Sequence, residues 1–154
     1  MLNEDYKEML QNLLKNKVKF LVVGAYAMSV HGYPRATGDF DIWVEASKEN
    51  SLKIYKSLQN FGVPITEMSK DTFSVEGIVF QIGLAPRRID IITKIDGVEF
   101  NKAYAEKEEI EIEDMKLPFL SKKNLIKNKK STGREKDKCR MSYYWSGTHT
   151  PHAR

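Results

Sequence analysis

The chain has 154 residues, with 25 Lys and Arg against 21 Asp and Glu, a net charge of +4 and 41% hydrophobic residues. That length and mixture suit one globular domain with a core of its own, and they exclude a polar disordered tail. A single cysteine, Cys139, excludes an internal disulfide framework and any Cys-only zinc site.

Residues 4–15 carry Tyr6, Met9, Leu10, Leu13 and Leu14 at helical spacing behind Asn3, a favourable N-cap, and are expected to form an amphipathic helix. Residues 20–23 read as a short buried strand that Gly24 ends, and residues 25–31 as a second helix that stops before Gly32, Tyr33 and Pro34. Residues 40–45 alternate as a strand. Ser47 caps a third helix with the apolar stripe Leu52, Tyr55, Leu58 and Phe61, closed by Gly62.

A short extended piece at 63–66 precedes strands at 78–82 and 88–93, and the five residues between these two suit a hairpin loop. A helix at 100–106, a strand at 110–112 and a helix at 121–130 complete the plan. Helices and strands interleave around one hairpin. The expected fold class is therefore α/β in the broad sense (α+β), with a mixed sheet of about 4–5 strands flanked by helices.

The longest nearly apolar run, residues 20–30, falls short of the ~18 to 20 residues of a membrane-spanning helix, and residues 1–6 carry acids where a signal peptide carries bases. A cytoplasmic protein with no membrane partner is the expectation. Charge is uneven. Residues 121–140 hold nine Lys and Arg against two acids, a local +7, which leaves the remainder at −3. Such a segment suits an anion site for phosphates or nucleic acid, or else a solvated Lys-rich helix face.

Gly-rich phosphate loops, His-Glu-x-x-His and Gly-x-Ser-x-Gly are missing from the sequence. What stands out is Asp39 and Asp41, at i and i+2 on one strand, with Phe40, Ile42 and Val44 on its other face. Two adjacent acids repel, and a divalent cation between them relieves that. Mg²⁺ suits such a pair because it takes one or two carboxylates together with substrate phosphate oxygens. Asp90, between Ile89 and Ile91, repeats the design, so neighbouring strands would bring three carboxylates together. Upstream, Gly24 permits close backbone approach, and the N–H groups that open the next helix suit a phosphate.

The segments 22–27, 31–32, 35–37 and 39–44, reading VVGAYA, HG, RAT and DFDIWV, resemble the core of the minimal nucleotidyltransferases, the DNA polymerase β-like superfamily. Residues 130–137, reading KSTGREKD, are similar to the late basic motif of its bacterial abortive-infection and toxin-related branch. The resemblance implies that Asp39 and Asp41 hold Mg²⁺ and the triphosphate, and that Asp90 completes the metal site and helps to deprotonate the acceptor. It further implies that Gly24 and the Ala25 amide touch phosphate, while Lys130 neutralises the triphosphate or the acceptor. Ala25 departs from the Gly or Ser usual at its position, which removes a hydroxyl and leaves the amide.

The function so implied is transfer of an NMP from an NTP, ATP among them, to an acceptor hydroxyl, with Mg²⁺ or Mn²⁺ as cofactor. Acceptors open to such enzymes are an RNA 3′ end, a protein side chain or a small molecule such as an antibiotic. The +7 segment tilts the choice toward a phosphate-rich acceptor such as tRNA. The alternatives are a non-catalytic nucleotidyltransferase-like module, for example a toxin–antitoxin partner, and a plain RNA binder. The nucleotidyltransferase domain is expected to span residues 1–138, and residues 139–154, without a helical stripe, read as an irregular, non-native end. His31, Arg35 and Thr37 stay outside the catalytic set, and a zinc site from Cys139, His149 and His152 is not expected.

Overall fold

A computed structural model of the chain describes residues 2–33, 39–131 and 139–143. Helix α1 (Glu4–Lys15) starts where the Asn3 side chain accepts the Tyr6 N–H at 2.8 Å. Strand β1 (Phe20–Val23) then runs directly into α2 (Gly24–Val30). Strand β2 (Asp39–Val44) is followed by α3 (Lys48–Phe61), which the Ser47 hydroxyl caps and Gly62 closes in a left-handed conformation. Next come β3 (Ile78–Ile82), β4 (Arg88–Ile92), α4 (Phe100–Ala105), β5 (Glu108–Ile112), β6 (Met115–Phe119), α5 (Lys122–Ser131) and β7 (Cys139–Tyr143).

One sheet joins all seven strands in the order β5-β6-β1-β2-β4-β3-β7. It is mixed, because β1 pairs antiparallel with β2 and parallel with β6, while β2 pairs parallel with β4 and β4 antiparallel with β3. The core lies against the face that carries Phe20, Val22, Phe40, Ile42, Ile89 and Ile91, all essentially inaccessible to solvent. Tyr6 of α1 stacks on Phe40 with ring centroids 4.7 Å apart, and Tyr26 of α2 meets the same ring edge-on. On the opposite face Trp43 packs edge-on against Phe100 of α4. The buried Asn50 is satisfied by the backbone around it: its side-chain amide accepts the Lys19 N–H and donates to the carbonyls of Lys19 and Glu45.

Three expectations need correction. The sheet has seven strands where about 4–5 were expected. Strand β6 is hidden in the sequence by Lys116 and Pro118; the sheet tolerates that proline where β6 meets β1 at a single register pair, Val22 with Phe119. Residues 139–143, expected to be irregular, form β7 and pair in parallel with β3 from Ile78↔Cys139 to Ile82↔Tyr143. The piece at 63–66, expected to be extended, gives way after Pro64 to a 3₁₀ turn, Ile65–Glu67. Among the described residues, no helix is long and apolar enough to cross a membrane.

Candidate functional site

The pleat of β2 decides which side chains meet. Phe40, Ile42 and Val44 enter the core, so Asp39 and Asp41 project from the other face. Strand β4 lies beside it in parallel register, with Asp39 opposite Arg88 and Asp41 opposite Asp90. One carboxylate oxygen from each of Asp39, Asp41 and Asp90 lies within 4.8 Å of the others. The neighbour on the far side of Asp41 is Val23, the residue before Gly24.

Gly24 is fitted to this acid. Its φ of +71° suits glycine, and a Cβ there would overlap the Asp41 carboxylate. Helix α2 starts at Gly24 with no side chain capping its first turn, so backbone N–H groups open beside the acids. The fold thus brings Gly24 against Asp41 and carries Ala25 along with it. Lys130 is placed apart: with Met28, Tyr33, Leu125, Ile126 and Lys129 it lines a groove of about 280 Å³ that none of the three acids lines.

Electrostatics mark the site as much as geometry does. Burial, then the Asp39 and Asp90 charges, push the Asp41 carboxyl up to about 8, against the opposing pull of Arg88. Burial likewise raises Asp90, although Arg88 draws it back. Arg88 bridges the cluster. Its Nη2 donates to Asp39 Oδ2 at 2.6 Å and to Asp90 Oδ2 at 3.1 Å, and its Nε donates to Asp90 Oδ1 at 2.8 Å. One guanidinium against three carboxylates leaves the cluster acidic, and that excess adds to burial in raising Asp41. Three hard oxygen donors with surplus negative charge fit a divalent cation such as Mg²⁺.

Arg88 is the member that sequence reasoning missed. Its signal was its position two residues before Asp90, which puts a cation and an acid on one face of a strand. His31 turns out to be a fastener: its Nε2 lies 2.8 Å from the Leu120 carbonyl oxygen and ties the end of α2 to the end of β6. Arg35 and Thr37 lie outside the described residues, as does the late basic motif beyond Ser131.

No family model matches the chain. No curated protein matches it either. Among solved structures it is similar to one described as a "putative nucleotidyltransferase" from Thermotoga maritima, at 18% identity over 82% of this chain and 83% of that one, with a TM-score of 0.51. At that identity the likeness is one of fold, and it supports a nucleotidyltransferase fold for this chain.

Proposed function

We propose that the protein is a metal-dependent nucleotidyltransferase. The observation that carries this reading is the in-register convergence of Asp39, Asp41 and Asp90 on one face of β2 and β4, within reach of a common cation. Asp39 and Asp41 would hold the cation that engages the triphosphate, and Asp90 would complete the site. Bound Mg²⁺ would supply charge neutralisation at the phosphates and a lowered barrier to loss of the acceptor proton. The acceptor oxygen bonds to the α-phosphorus, the bond from that phosphorus to the bridging oxygen breaks, and pyrophosphate leaves. Asp90 receives the acceptor proton, and backbone amides at Gly24 and Ala25 steady the phosphates. The rest of the catalysis is alignment of reactants.

For the acceptor, an RNA end is favoured by α5, which carries Lys122, Lys123, Lys127, Lys129 and Lys130 within ten residues. The same helix supports the second reading, a non-catalytic RNA-binding module. The two separate by experiment. Each of the four α-phosphate-labelled nucleoside triphosphates is offered with Mg²⁺ to total tRNA, a protein extract and an aminoglycoside panel, beside Asp41→Asn. Label entering one fraction with the wild type alone supports transfer and names the acceptor class. RNA affinity that falls with salt, no label in any fraction and indifference to Asp41→Asn would select the binding module.

A further inference from the structure

Three of the six carboxylate oxygens at the site are already engaged by one guanidinium. Arg88 donates to Asp39 Oδ2 and to both carboxylate oxygens of Asp90, all at 2.6–3.1 Å. A dication held by those same oxygens would stand a few ångströms from the guanidinium, where like charges repel strongly in a half-buried setting. The Arg88 side chain keeps 29% of its surface in water, and Arg88 opens β4 directly after the exposed residues 84–87.

From this geometry we infer that Arg88 is a tethered counter-ion that competes with the metal and is released by nucleotide. Without ligand, the guanidinium offsets the repulsion among the three acids and keeps their oxygens gathered. A cation arriving alone must displace it, and the displaced guanidinium gains only water. A cation arriving with a triphosphate brings phosphate oxygens, which match the planar fork of Arg88 as well as a carboxylate does. Metal alone therefore binds weakly, and metal with nucleotide binds tightly. The two ligands are coupled through one side chain, and the site is guarded against loading with a cation when no triphosphate is present.

This inference rests on the metal-centre reading above, and it makes Arg88 a positioning residue whose role has a sign. A scaffold that merely gathers the acids would leave metal binding weaker when removed, whereas a competitor leaves it tighter. The test titrates the full chain with Mn²⁺ and follows free Mn²⁺ by electron paramagnetic resonance. Wild type, Arg88→Gln, Arg88→Lys and Asp41→Asn are compared, with circular dichroism as the check on folding. Arg88→Gln is expected to bind Mn²⁺ about tenfold more tightly than wild type, in the usual range of such couplings. Arg88→Lys, which keeps the charge without the fork, should fall between them and stands in if Arg88→Gln does not fold.

Binding of labelled ATP at saturating Mn²⁺ should weaken by about the same factor in Arg88→Gln. Mn²⁺ binding by the Arg88 variants that equals or falls below that of wild type, with Asp41→Asn still abolishing it, would overturn the counter-ion role and leave the metal centre standing. Mn²⁺ binding that Asp41→Asn leaves unchanged would overturn the metal centre and the inference with it.

Discussion

The two faces of β2 and β4 are built from alternate residues of the same ten or so positions, yet they follow opposite logic. On one face Phe40, Ile42, Ile89 and Ile91 are fully buried, and Phe40 is sandwiched by Tyr6 and Tyr26. Burial there lowers the free energy of the fold. On the other face Asp39, Asp41, Asp90 and Arg88 crowd four ionisable groups together, and Asp41 holds its proton well above the usual carboxylate range. That face carries the proposed metal site. Stability and function are thus separated by one residue of pleat, which makes the separation testable.

The largest effect expected is on activity. If the proposed function holds, Asp41→Asn removes a metal ligand and should lower nucleotidyl transfer by more than the 10- to 100-fold typical of outer-shell changes, with the fold intact by circular dichroism. One residue away, Phe40→Ala should do the reverse. It should lower unfolding free energy by about 3–5 kcal/mol in denaturant titrations, because it leaves a cavity between two aromatic rings. A gain in stability from Phe40→Ala, or a large loss from Asp41→Asn, would break the comparison between the faces.

Gly24→Ala should show both effects at once. The left-handed φ costs about 1–2 kcal/mol for a residue with a side chain, and the new Cβ pushes on the Asp41 carboxylate. Reduced stability together with reduced Mn²⁺ affinity would sharpen the assignment of Gly24 to the site, whereas unchanged Mn²⁺ affinity would remove it.

A further expected effect is a dependence on pH in the metal-free protein. Asp41 titrates near 8 in the fold and near the ordinary carboxylate value when unfolded, so the native state holds the extra proton between about pH 4 and 8. Its contribution to stability is therefore present below about pH 4 and is lost as pH rises toward 8. Thermal melts in EDTA should fall across that window for wild type and fall less for Asp41→Asn. Mg²⁺ should restore the melting temperature most at the alkaline end, where the cluster is fully charged.

Much of this arrangement is legible in the sequence because alternation survives in β2 and β4. Asp-Phe-Asp-Ile and Arg-Ile-Asp-Ile each state which residues face inward, and Asn3, Ser47 and Gly62 mark helix ends through local hydrogen bonding. What was not legible depends on partners distant in the chain. Strand β7 gains its ladder from β3, some sixty residues earlier, and β6 carries a proline that its place beside β1 tolerates at one register pair. Arg88 reads locally as the polar start of a strand. Its meaning comes from Asp39, 49 residues away, which only the parallel register of β2 and β4 sets opposite it.

The central claim is that Asp39, Asp41 and Asp90 together hold a divalent cation that engages a triphosphate. Its most direct test is anomalous diffraction from crystals soaked in Mn²⁺ with a non-hydrolysable nucleoside triphosphate. The account predicts a Mn²⁺ peak bonded to carboxylate oxygens of these residues and to phosphate, with Arg88 turned from Asp39 toward the nucleotide. A nucleotide bound without metal, or metal held elsewhere while Arg88 still bridges Asp39 and Asp90, would contradict it.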